Sequence, residues 1–127
     1  MSALESLATN TQRLFNIRCV FICDEPVQLK NEKALLQLYR IAQEAVTNAV
    51  RHSQCSNIEL HLDREKDVVT ITIKDDGTGM NGVPENKYGM GLKIMRYRSS
   101  MIGASLGTEV EEGKGTAITC VFTDDID

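Results

Sequence analysis

Apolar residues recur at every second position in five stretches of this chain and at every third or fourth in three others. Ile17, Cys19, Phe21 and Cys23 share one parity, and Pro26 with the charges around it closes that stretch. Ile58, Leu60 and Leu62 alternate with Glu59, His61 and Asp63, which predicts a strand with one wet face. Arg64 to Asp67 reads as a charged turn. Val69, Ile71 and Ile73 then define the inner face of a second strand, opposite Thr70, Thr72 and Lys74, and the two strands predict a hairpin. Leu106, Thr108 and Val110 alternate in turn, as do Ile118, Cys120 and Phe122, with Gly113-Lys114-Gly115 as the hairpin turn between them.

Three segments carry the helical period. A short helix runs to about Phe15. Asn31 caps a second, with Glu32 in its first turn, and the pattern continues to about Arg51. Leu35, Leu38, Ala42, Ala45 and Ala49 form its expected buried stripe, and their small size requires a close neighbour. Leu92, Met95, Ser99 and Ile102 predict a third helix, stopped by Gly103. The order α-β-α-β-β-α-β-β predicts an α+β fold. It is a two-layer α/β sandwich with a mixed, mostly antiparallel sheet and the helices on one face.

Composition narrows the classes. A chain of 127 residues with 42% hydrophobic content suits one domain with one core. No apolar run approaches the roughly 20 residues of a membrane span, and no signal peptide is visible. A net charge of -4 argues against nucleic acid as a main partner. Cys19, Cys23, Cys55 and Cys120 form no Cys-x-x-Cys pair, so buried free thiols in a reducing cytoplasm are expected.

Candidate chemistry sits in three short motifs. Glu44 and Asn48 are one turn apart on the second helix, and Arg51 and His52 continue that face. An Asn oxygen is a hard ligand suited to magnesium, and a carboxylate beside it can accept a proton or orient a bound water. A solvated polar face is the plainer alternative. Asp75 is in phase with the inner positions Val69, Ile71 and Ile73, whereas Asp76 is in phase with the wet face. A carboxylate on an inner face needs a donor, and the exocyclic amine of adenine is one. Gly77 and Gly79 leave room for a flat base, although Asp-Gly turns are common. Gly89-Met90-Gly91 lies just before the expected third helix, where free amides and the helix dipole can hold phosphate. The polar segment from Asn81 to Tyr88 reads as a short lid, with Lys87 and Arg96 as candidate charge partners. Thr116 points inward and can share a water with an adenine held by Asp75.

These residues resemble the GHKL ATP-binding family, and most closely the catalytic domain of NarL-type sensor histidine kinases. The likeness rests on Gln43-Glu44-Ala45-Val46-Thr47-Asn48-Ala49-Val50-Arg51-His52-Ser53, on Asp75-Asp76-Gly77-Thr78-Gly79, on Gly89-Met90-Gly91-Leu92, and on Gly113-Lys114-Gly115-Thr116. It covers about residues 15 to 122. It implies a Bergerat-type ATP-binding fold with ATP and magnesium as ligands. Asn48 would bind magnesium, Glu44 would assist phosphoryl transfer, and Asp75 would hold adenine. Gly77 and Gly79 would shape the base pocket and Thr116 would back it. Gly89, Gly91, Leu92, Lys87 and His52 would serve the phosphates. His52 and His61 are the only histidines, and neither looks like a phosphoacceptor. The acceptor is therefore expected on a dimerisation domain outside this chain. Residues 1–15 read as a helix or linker from that domain, and 16–127 as the ATP-binding domain. A response regulator would be an indirect partner, and the expected compartment is the cytoplasm, in a parent protein with or without a membrane anchor. The rival readings are a protein-serine kinase of the anti-sigma-factor type and a non-catalytic nucleotide-binding module.

Overall fold

The structure is a computed structural model of the chain and describes residues 2–52, 54–77, 85–111 and 115–124. The elements are α1 (Ser2–Phe15), β1 (Arg18–Ile22), α2 (Glu32–His52), β2 (Asn57–Glu65), β3 (Val68–Asp75), α3 (Glu85–Met101), β4 (Ser105–Glu111) and β5 (Gly115–Thr123). They follow the expected order.

The strands form one sheet in the order β1-β2-β3-β5-β4. β1 runs parallel to β2, because the connection between them is the α2 crossover. The other pairings are antiparallel. Register aligns the inner parities across the sheet. Leu60 lies opposite Ile73, which lies opposite Ile118, and Leu62 lies opposite Ile71, which lies opposite Cys120. All six are buried, and they share one core with Leu38, Ile41, Ala42 and Ala45 of α2 and Met95 of α3. That is the two-layer α+β arrangement with the helices on one face. Leu4 and Ala8 of α1 belong to the same core.

Four local expectations are corrected. Leu35 is 39% exposed, and Ala34, Ile41 and Val46 are buried beside Leu38, Ala42, Ala45 and Ala49. The buried row passes through Ala34, so the larger neighbour is turned outward, where it lines an apolar groove with Leu29, Leu36 and Tyr39. The hairpin turn is tighter than 64–67: β2 extends to Glu65, β3 starts at Val68, and Lys66 takes a φ of 57°. Cys19 and Cys120 are buried, but Cys23 and Cys55 are half-buried. Burial pushes the Cys19 and Cys120 thiols up to about 11, with Cys55 adding to the effect on Cys19. Finally, α3 begins at Glu85 rather than at Leu92. Pro84 precedes a run of residues a helix accepts, and two interior glycines cost only about 1 kcal/mol each.

The expected caps are present. Asn31 Oδ1 accepts from the Ala34 amide at 3.1 Å. Gly103 has a φ of 67° and ends α3, where the Ala104 amide reaches back to the Ser99 carbonyl at 2.9 Å.

Candidate functional site

Topology gathers the candidate residues at one end of the sheet. β3 ends at Asp75, where it meets the start of β2 at Ile58 and the start of β5 at Thr116. Since β2 follows directly on α2, the C-terminal half of α2 is brought to the same end. Since α3 follows β3, its N-terminal half starts there too.

Asp75 is 7% exposed and Asp76 is exposed, as strand parity requires. The Gly77 amide donates to Asp75 Oδ1 at 2.9 Å. Thr116, directly across the ladder, is also buried. A cleft of about 370 Å³ opens here, lined by Asp75, Gly115, Thr116, Lys74, Glu109 and Val110. Gly115 has a φ of 114°, and a Cβ there would fall on the Asp75 carbonyl oxygen. Only glycine lets β5 start this close to the end of β3.

Asn48 of α2 is 6% exposed, and its Nδ2 is buried without a hydrogen-bond partner. Glu44, one turn earlier, is half-buried. α3 crosses against this face at Gly91, where a Cβ would fall on the Asn48 amide nitrogen and lie 2.8 Å from its Cγ and Oδ1. An orphaned polar group is costly in a protein interior. A half-turn of the amide places Oδ1 where Nδ2 stands, so this position suits either a hydrogen-bonding ligand or a hard cation.

Other expectations are placed differently. Gly89, Lys87 and Gly91 lie within α3, so the Gly89-Met90-Gly91 amides belong to a helix interior instead of a free N-terminus. Leu92 is buried in the apolar core, and Arg96 is exposed. Gly79, residues 81–84 of the lid, Ser53 and the Gly113-Lys114 turn lie outside the described residues, as do the side chains of His52 and Lys87. His61 contacts Glu59 at 2.8 Å on the outer face of the sheet.

Two carboxylates carry structure that the sequence did not reveal. Asp76 Oδ1 accepts from the Ser56 and Asn57 amides at 2.8 and 2.9 Å, and Oδ2 accepts from Asn57 Nδ2 at 2.7 Å. Burial alone would raise this carboxyl, but the Asn57 side-chain and backbone donors and the Ser56 amide outweigh it and hold it below the usual range. At the far end of the sheet, Asp124 is fully buried, and Arg64 Nη1 donates to its Oδ2 at 2.8 Å. The Lys30 amide donates to the same oxygen at 2.8 Å.

Comparisons with known proteins bear on the family and the fold. The family described as Histidine kinase-, DNA gyrase B-, and HSP90-like ATPase matches residues 34–126. The sensor protein NarQ homolog of Haemophilus influenzae is 32% identical over 91% of this chain and 20% of its own length. The nitrate/nitrite sensor protein NarX of Escherichia coli K12 is 31% identical over 76% of this chain and 16% of its own length. The chain thus spans about a fifth of these curated relatives. Among solved structures, the ATP binding domain of PrrB from Mycobacterium tuberculosis superposes with a TM-score of 0.75 at 18% identity. That match covers 98% of this chain and 93% of that one, a likeness of fold. Among the described residues, no helix is long and apolar enough to cross a membrane.

Proposed function

The chain belongs to the histidine kinase-, DNA gyrase B-, and HSP90-like ATPase family, and from that premise we propose that it is the Mg-ATP-binding catalytic domain of a two-component sensor histidine kinase. It presents the γ-phosphate of ATP to a histidine on a dimerisation and phosphoacceptor domain, from which a response regulator is served in turn. The observation that carries this reading is the convergence of Asp75, Thr116, Asn48 and Gly91 at one end of the sheet.

Asp75 accepts the adenine amine, because an ionised carboxylate offers only acceptors. Thr116 backs the base and Gly77, with Gly79, leaves it room. Asn48 supplies a hard oxygen toward a magnesium ion held mainly by phosphate and water. That ion neutralises phosphate charge when bound. Glu44 accepts a proton from, or orients, the attacking imidazole. His52, Lys87, Gly89, Gly91 and Leu92 attend the phosphate side. Phosphoryl transfer asks chiefly for positioning and charge neutralisation, which this set provides. An ATP site in a chain whose four cysteines form no disulfide fits the cytoplasm.

Calorimetry with Mg-ATP and a labelled phosphotransfer assay test the reading. The chain alone should bind ATP and leave itself unlabelled. With the parent kinase's phosphoacceptor domain added, that domain should gain an acid-labile phosphate, as a phosphohistidine is. An acid-stable label would indicate serine transfer, and no transfer at all would indicate a nucleotide-binding module. No ATP binding would overturn the reading outright.

Gly91→Ala separates helix propensity from site geometry. The substitution adds about 1 kcal/mol of helix stability, yet its Cβ displaces the Asn48 amide. Mg-ATP affinity should fall by about tenfold, while crowding of the buried Asn48 offsets the helix gain and leaves the protein folded. Wild-type affinity in this variant would refute a role for the Asn48–Gly91 contact in binding.

A further inference from the structure

Asp76 follows the adenine-acceptor candidate directly, points away from it, and is occupied by a different segment. Its carboxylate takes three hydrogen bonds from Ser56 and Asn57, and its own amide donates to the Asn57 carbonyl at 3.2 Å. Ser56 ends the loop that joins α2 to β2, and Asn57 is the first residue of β2. The same loop follows the helix bearing Asn48 and Glu44. The next amide along the chain, that of Gly77, is the one that donates to Asp75 Oδ1. Asp76 therefore fixes both the strand end that carries Asp75 and the amide that orients its carboxylate. It does so by gripping the chain that leaves the metal-side helix.

We propose that Asp76 is a positioning residue for nucleotide recognition, setting the Asp75 carboxylate against α2 through Ser56 and Asn57, where the α2–β2 loop enters β2. The inference rests on the reading of Asp75 as the adenine acceptor. Its physical basis is that a buried acceptor discriminates only when held in register with its donor. Asp75 lies at the last ladder position of β3, where a strand is least constrained. The Asp76 grip extends that constraint by one residue, beyond the point where pairing with β5 stops.

The test compares ATP with purine riboside triphosphate, which lacks the exocyclic amine, at a temperature where each variant is folded by circular dichroism. Wild type should prefer ATP. Asp76→Ala removes every acceptor and should bind ATP about tenfold more weakly, with the preference shrinking by a similar factor. Asp76→Asn keeps an oxygen for the Ser56 and Asn57 amides and should recover most of both. A merely structural role would weaken both nucleotides equally and leave the preference intact, which overturns the proposal. If the alanine variant does not fold, Asn57→Ala removes the Nδ2 donor and carries the same comparison with a smaller shift. A wild type that binds both nucleotides equally would defeat the Asp75 reading itself. A preference that survives in Asp76→Ala would defeat this inference alone.

Discussion

Asp75→Asn should weaken ATP binding by about two orders of magnitude or more while melting within about 5 °C of wild type. The two side chains have the same shape, so packing at the 7% exposed position is preserved. The amide oxygen can still accept from the Gly77 amide, which Asp75 Oδ1 does at 2.9 Å. What changes is the other end of the group, where an acceptor becomes an NH2 that faces the adenine amine. Two donors meet, and the base loses the acceptor that the carboxylate offered. A site built around one hydrogen bond rejects a mismatched partner more strongly than it rewards a matched one. Calorimetry reads the affinity. A thermal-shift assay gives a second reading, because saturating ATP raises the melting point only of a protein that binds it. An Asn variant that binds ATP like wild type would remove Asp75 from the base pocket.

The distinction between Asp75 and Asp76 was available from strand parity alone. Val69, Ile71 and Ile73 fix the inner face, and a period of two leaves no freedom about which carboxylate is buried. The same logic turned Thr116 inward, and the register then sets it opposite Asp75. Helix faces were less sharply legible. A period of 3.6 lets Ala34 and Leu35 compete for one row, and residue size favoured the one that the fold turns outward. The start of α3 was missed because glycines normally end or precede helices, whereas here the gap beside Asn48 needs a glycine inside one. The Asp76 and Asp124 contacts span roughly 20 and 60 or more residues, and no local pattern encodes a partner so distant in sequence.

Arg64→Met should cost about 3 kcal/mol of folding stability, a large share of the 5–15 kcal/mol typical of such domains. Asp124 is fully buried and its Oδ2 accepts from Arg64 Nη1 and from the Lys30 amide. The same Arg64 nitrogen also donates to the Gln28 carbonyl at 3.1 Å. Removing the guanidinium leaves a buried carboxylate without its cation, the costly half of a broken pair. The figure sits at the low end for such pairs because Arg64 keeps 20% of its side chain in solvent. The loss should depend on pH with a definite sign. Burial alone would raise the Asp124 carboxyl, but the Arg64 and Lys30 donors outweigh it and hold it below its ordinary 3.8. The contribution is therefore present above about pH 4 and disappears as pH falls through the folded value. Urea melts of wild type and Arg64→Met should differ by the full amount at pH 7 and converge in acid. An equal difference at both pH values would show that Arg64 acts through packing instead of charge. The clasp joins the segment before α2 to the ends of β2 and β5, at the opposite end of the sheet from Asp75. ATP affinity measured well below the melting point should accordingly stay within about twofold of wild type. Weaker binding in a folded Arg64→Met protein would mean that the anchoring of α2 at its N-terminus reaches Asn48 at the other end of the helix.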